Sequence, residues 1–437
     1  MPKCTARFLP CFLLPVIRGN IVQPFFLMVL LIAVAVLSTV MITGNRQSGT
    51  APAESVQQFA DRHWQTPVPL QGKVPGDYSE LESSLLPESC GSCHEPQYRD
   101  WKTSLHSKAM GPGVHGQTLV MEKSDPATAR VCWSCHAPLS EQQPLLLKTA
   151  QNGEKKWVTN PAFDPRLQQH GLSCAVCHVR KHERIGPPRR STPEVTGRID
   201  EGLPHGGFVA EPAFSKSVFC KGCHQFGPDG YALNGKLIEN TYQEWLESDY
   251  PAKGVECQSC HMPDRRHLWR GIHDPEMTRK GVTITTEVSG KTVQAGDKLE
   301  MLVTISNTGT GHHFPTYLTP RVVVSGYQID RSGKTIPDTT QEAVIGREVT
   351  LNLSEEIFDT RIPSGESSFF RYSQTRSEHA SRLIVIVRVE PNYFYEKFFR
   401  AMLEGDSAGK GRELIRQAWE HARSTPYTLY RKEIILQ

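Results

Sequence analysis

Apolar positions are arranged in three different ways along the 437-residue chain, and each arrangement predicts a different kind of segment. Residues 25–42 form an apolar run of 18 with no charge, preceded by Lys3, Arg7 and Arg18. That pattern predicts an uncleaved N-terminal transmembrane signal-anchor, with the N-terminus in the cytoplasm. A cleaved signal is the alternative, although no small-x-small site follows Ile42 closely. Residues 46–80 are rich in Pro, Gly, Ser and Gln without a sustained period, as in a linker. From 81 to 280 short helical patches alternate with Pro and Gly; 241–248 is one helix candidate, with Tyr242, Trp245 and Leu246 on one face.

After 280 the period changes to two. Leu299, Met301, Val303 and Ile305 alternate with polar neighbours, as in a half-buried strand. Stretches 282–288, 321–324, 348–351, 369–372 and 383–387 also read as strands, with a turn at Ser332-Gly333. Many short strands with turns between them predict an antiparallel β-sandwich. Helices at 394–403 and 411–422 close the chain, the second with Leu414, Ile415, Ala418, Trp419 and Ala422 on one stripe. The expected organisation is an N-terminal segment 1–45, a linker 46–80, an α-rich, loop-rich domain 81–280 and a β-sandwich domain 281–437.

The helix-and-loop region carries five Cys-x-x-Cys-His motifs: Cys90–Cys93–His94, Cys132–Cys135–His136, Cys174–Cys177–His178, Cys220–Cys223–His224 and Cys257–Cys260–His261. Each reads as a c-type haem attachment, two thioethers plus a first axial histidine. A zinc half-site, a redox pair or a disulfide would not require a histidine directly after the second cysteine every time. The motifs use ten of the twelve cysteines; Cys4 and Cys11 precede the apolar run. Starts at 90, 132, 174, 220 and 257 make a loose recurrence of sites rather than a solenoid period. Covalent attachment of this kind places residues 46–437 in the bacterial periplasm, in agreement with the signal-anchor. The region is expected to be a pentahaem domain carrying five haem c groups.

The formal charge of +3 gives no case for a nucleic-acid partner, which a dense basic face would signal. A hydrophobic content of 38% fits a core built partly from cofactor. Arg180, Lys181, Arg184, Arg189, Arg190, Arg265 and Arg266 follow motifs closely, as propionate partners or as solvated loops.

Of the 17 histidines, twelve lie outside the motifs, enough for every haem to be bis-histidine. The candidates for sixth ligands are His106, His170, His205, His267, His273 and His312, with His115 and His182 as further choices. His312 and His313 lie in the strand region, in Gly-Thr-Gly-His-His-Phe-Pro-Thr, where a Gly-rich loop can approach a haem closely. Each candidate has an ordinary reading as a hydrogen-bonded histidine. Met110 is an alternative ligand type that would raise the potential.

Cys-Gly-Ser-Cys-His with Tyr98, Trp101 and His106 after it, His170-Gly before Cys174-Ala-Val-Cys-His178, and Cys257-Gln-Ser-Cys-His-Met-Pro263 together form a recognisable pattern. It resembles the multihaem c-type cytochromes related to the tetrahaem carrier that accepts electrons from hydroxylamine oxidoreductase. The resemblance covers roughly 85–280 and implies electron transfer through closely packed haem pairs, with His106 and His170 as sixth ligands. Gly-His-His-Phe-Pro-Thr resembles a loop of strand domains that follow haem domains in larger multihaem cytochromes. The chain departs in having five motifs rather than four. It also lacks the Cys-x-x-Cys-Lys motif of the ammonia-forming nitrite reductases.

Three functions compete. A membrane-anchored carrier would exchange single electrons with redox partner proteins, a membrane quinol-oxidising module or a periplasmic enzyme. A reductase or oxidase of a small nitrogen or sulfur compound would need one open iron position. A docking or oligomer-building role would rest on the strand domain. No nucleophile constellation, phosphate loop or further metal site is visible.

Overall fold

The computed structural model describes residues 54–200, 202–289 and 293–436. The expected membrane segment, 25–42, lies outside the described residues. Among them no helix is long and apolar enough to cross a membrane.

Alternation builds the strand region as the period-two pattern requires. The strands are β1 (Val282–Ser289), β2 (Lys298–Asn307), β3 (Arg321–Ile329), β4 (Gln341–Val349), β5 (Glu356–Asp359), β6 (Ser367–Thr375), β7 (Arg382–Glu390) and β8 (Tyr427–Ile435). They form two antiparallel sheets, ordered β6-β2-β1 and β5-β4-β3-β7-β8. In β2 the inward residues Leu299, Met301, Val303 and Ile305 are buried against Val322 and Val324 of β3 and Leu383, Val385 and Val387 of β7. Burying such side chains stabilises by about 1.5–3 kcal/mol each relative to exposure, and this apolar interior holds the sheets face to face. Gly326 matters here: a Cβ on it would stand 2.7 Å from the Tyr372 ring. Its absence admits that ring, whose hydroxyl donates to the Thr339 carbonyl at 2.9 Å.

Three boundaries differ from the sequence expectation. β4 runs 341–349 rather than 348–351, because its polar Gly346-Arg347-Glu348 stretch hides a strand whose Arg347 is buried. The edge strand β8 carries Arg431-Lys432-Glu433, and such charges, common on sheet edges, mask its period. Residues 56–63, expected in the linker, form helix α1 (Val56–His63), started by a Ser55–Gln58 capping box. Its stripe of Phe59, Ala60 and His63 is too short to register as a period, but all three are buried.

The remaining region is short helices and loops with small sheets that the sequence did not signal: a hairpin of 145–149 and 155–159, a four-stranded sheet of 179–180, 183–186, 208–210 and 197–199, and a pair at 232–233 and 236–237. α2 (Glu95–Thr103), α3 (Pro112–Ser124), α4 (Pro126–His136) and α5 (Thr241–Leu246) lie among the motifs. The chain closes with α6 (Tyr393–Glu404) and α7 (Arg412–Ser424), near their expected positions. α7 packs on α3 through Gly116 and Gly411: a Cβ on Gly411 would stand 2.0 Å from the Gly116 carbonyl. The last helices are thus interleaved with the motif region.

Buried ions join the two regions. Arg347, its side chain 1% exposed, donates to Glu356 at 2.7 Å and to the carbonyls of Leu233, Lys236 and Leu237. Glu244 on α5, its side chain fully buried, accepts from Arg361 at 2.9 Å and Thr316 at 2.6 Å.

Candidate haem centres

In each motif the two cysteines stand three apart and the histidine follows, so one helical turn presents all three on one face. Residues 174–178 and 257–261 are such turns, and the second motif ends α4. No disulfide joins the ten motif cysteines. Cys90 instead lies close to Cys174, Cys135 to Cys223 and Cys220 to Cys257. Motifs distant in sequence therefore come close through their cysteines, and the two cysteines of the fourth motif lie near two different neighbours.

The imidazoles are fixed at one nitrogen. Nδ1 of His136 lies 2.7 Å from the Ala109 carbonyl, that of His178 2.8 Å from Ile185 and that of His261 2.7 Å from Arg270. Nδ1 of His224 lies 2.6 Å from the Tyr317 hydroxyl. An imidazole held this way turns Nε2 toward a metal. Burial, then His267, holds His178 down to about 4; burial, then His261 and His312, does the same for His224. Both are neutral near pH 7, the form that binds iron.

Three second histidines stand at a spacing that suits pairing with a motif histidine. Two imidazoles sharing one metal through nitrogen, at bonds of about 2 Å, hold their ring centres roughly 6.3 Å apart. His178 and His267 stand 6.2 Å apart, His106 and His224 6.3 Å, and His261 and His312 6.3 Å. Each pair combines a motif histidine with one outside the motifs. The donor set therefore fits haem c: paired thiols on one face, an anchored neutral imidazole and a second imidazole at bis-ligand spacing.

His267 and His312 also direct Nδ1 at a carbonyl, at 3.0 and 2.9 Å. His205 does the same at 2.9 Å and lies beside His94, whose pKa is lowered by burial and then by His205. The pairings cross the sequence. His106 follows the first motif but faces the fourth, and His267 follows the fifth but faces the third. His170 lies 3.4 Å from Glu88 and 5.9 Å from the Trp101 ring, beside the first motif. Among the described residues His273 faces no motif histidine at that spacing; burial, then the charge of His421, holds it down to about 4. For His136, no second histidine ring stands at such spacing among the described residues. Its motif is bordered instead by Glu239, near Cys135, and Tyr395, near Cys132. Burial raises the Glu239 carboxyl well above its usual value.

The strand region contributes one loop to two centres. Residues 309–317 carry His312 to His261 and Tyr317 to His224, while the His313 main-chain N–H donates to Glu244 at 3.1 Å. No sequence signal marked Tyr317 or Glu239. His63 was also missed: it is 2% exposed, and both ring nitrogens are without hydrogen-bond partners inside a cluster of Phe59, Trp64, Phe214 and Phe219. Among the basic residues, Arg180 donates to the His63 carbonyl, Arg184 to the Glu82 and His182 carbonyls, and Arg266 to Asp100. These three are held by the protein itself.

Residues 89–179, which hold the first three motifs, match the family model described as cytochrome c554 and c-prime. Over that stretch the chain is similar to the multihaem c-type cytochromes. A solved structure of a penta-heme cytochrome c552 from Thermochromatium tepidum resembles the present one over 81% of this chain and 99% of the other. The TM-score is 0.54 at 18% identity, which establishes a shared fold. A beta-glucosidase from Listeria innocua in complex with glucose matches over 24% of this chain and 14% of its own, at 15% identity and a TM-score of 0.15, and carries no argument. No curated protein matches.

Proposed function

We propose that this cytochrome is an electron carrier holding five covalent haem c groups, one at each motif. In this reading it is anchored to the bacterial inner membrane through 25–42, with the rest of the chain in the periplasm. It passes single electrons between a quinol-oxidising or other respiratory donor and a periplasmic acceptor. Haem c supplies reversible one-electron storage. The chain supplies the ligands, the spacing and the dry surroundings. The observation that carries the reading is the set of three cross-paired histidines, His178 with His267, His224 with His106 and His261 with His312, whose spacing suits two axial ligands on one iron. The closeness of Cys90 to Cys174, Cys135 to Cys223 and Cys220 to Cys257 supports attachment sites at close quarters. The test is a pyridine-haemochrome count with a reductive titration of the purified protein. Five haems taking up five electrons support the proposal, and fewer of either refute it.

A second reading rests on His136. With no paired histidine ring among the described residues, its centre is the place for an open iron position, and burial favours the protonated form of the Glu239 carboxyl, an acid near Cys135 able to donate a proton. That reading makes the protein a reductase or oxidase of a small nitrogen or sulfur compound. It requires nitrite, hydroxylamine or sulfite to perturb one haem spectrum; no perturbation by any of them removes it. A docking or oligomer-building role for residues 281–437 is compatible with the carrier reading; the mass of the full-length holoprotein by light scattering, alone and with a redox partner, tests it, and a monomer that binds no partner refutes it.

A further inference from the structure

The anchor of His224 differs in kind from those of the other anchored motif histidines. His136, His178 and His261 each direct Nδ1 at a main-chain carbonyl, a group fixed by the local fold. His224 directs Nδ1 at a side chain, the Tyr317 hydroxyl at 2.6 Å, 93 residues away in the strand region. When Nε2 is the ligand, Nδ1 keeps its proton and donates, so the phenol oxygen accepts. Thr241 lies beside the phenol, and its hydroxyl is 2.8 Å from that of Thr316. Burial, with Glu239 next, keeps the phenol pKa well above its ordinary value, so the acceptor is a neutral hydroxyl.

We propose that Tyr317 is a positioning residue that sets the electron affinity of the iron bound by His224. A hydrogen bond that draws on the Nδ1 proton makes an imidazole a stronger electron donor, and a stronger donor favours ferric iron. Here that bond comes from the same loop that places His312 opposite His261. One segment, 309–317, thereby tunes one centre and ligates its neighbour, and these centres lie close at Cys220 and Cys257. Docking of the strand region and the potential of an adjacent centre are linked. The inference rests on His224 being an axial ligand, as in the proposed function.

The test uses the full-length holoprotein with Tyr317→Phe, which keeps the ring and removes the acceptor. Haem content is counted first; then potentials are titrated by absorbance and low-temperature EPR. One low-spin centre should move to higher potential, its oxidised-to-reduced ratio at the former midpoint falling several-fold, where tenfold corresponds to about 59 mV for one electron. Tyr317→Gln, which returns an acceptor oxygen, should move that centre back. Unchanged midpoints at all centres in Tyr317→Phe would overturn the inference. So would a shift that Tyr317→Gln fails to reverse and that brings a high-spin signal, since it would mean displacement of His106. Fewer than five haems in the wild-type protein would instead refute the underlying assignment of ligands.

Discussion

Glu244→Ala removes the carboxylate that holds the 309–317 loop against the motif region. Glu244 accepts from the His313 main-chain N–H at 3.1 Å, from the Thr316 hydroxyl at 2.6 Å and from Arg361 at 2.9 Å. Its side chain is fully buried and that of Arg361 is 5% exposed. Breaking a buried ion pair by removing one partner costs about 3–5 kcal/mol when the other charge is orphaned. Arg361 is not orphaned: it keeps Asp359 through two bonds of 2.9 Å and the Thr316 carbonyl at 2.7 Å. The Thr316 hydroxyl and the His313 N–H do lose a charged acceptor, at about 1.5–3 kcal/mol for such a bond. A loss near the lower bound, about 3 kcal/mol, follows. Because the loop carries His312, the loosening should appear first as a high-spin signal from one haem, at lower denaturant than global unfolding. The assay is guanidinium denaturation followed by Soret absorbance and by EPR on quenched samples. A loss below about 1 kcal/mol, with all haems leaving the low-spin state together, would refute the claim that this carboxylate clamps the loop.

Other perturbations separate the histidines. His312→Ala should turn one low-spin haem high-spin without changing haem content, read by EPR and pyridine haemochrome; His267→Ala should do the same at a different centre. His273→Ala, which removes a histidine that faces no motif histidine at ligand spacing, should leave every axial ligand set and every EPR signal unchanged. Stability against acid should involve Asp359: burial pushes its carboxyl up, but Arg361 and Lys236 prevail and hold it well below the ordinary value. A folded pKa below the unfolded one means that its stabilisation is complete above about pH 4–5 and is lost as pH falls further. The stability difference between wild type and Asp359→Asn should therefore be steady from pH 7 to 5 and shrink below about 4, measured by denaturation at each pH.

The candidate attachment motifs were legible because their chemistry is local: one helical turn holds both thiols and the histidine. The sandwich was legible wherever burial alternated cleanly, as at Leu299, Met301, Val303 and Ile305. It was obscured where a buried charge interrupted the pattern, as at Arg347, or where a charged edge did, as at Arg431-Lys432-Glu433. The sixth ligands could be proposed as a set but not paired, because pairing is tertiary. His106 lies twelve residues after His94 and yet faces His224, and His267 faces His178 across a comparable detour. His312 was suggested by its Gly-rich loop. Tyr317, five residues further on, was invisible, because a tyrosine acts on a haem ligand only through a contact that the fold creates.

Low-temperature EPR of the purified ferric protein, with and without cyanide, tests the central claim most directly. The account predicts low-spin signals from the centres of His178, His224 and His261, each facing a second histidine at 6.2–6.3 Å between ring centres, and each unchanged by cyanide. High-spin iron at these centres, or cyanide displacing a ligand from them, would contradict the paired-histidine ligation on which the carrier reading stands.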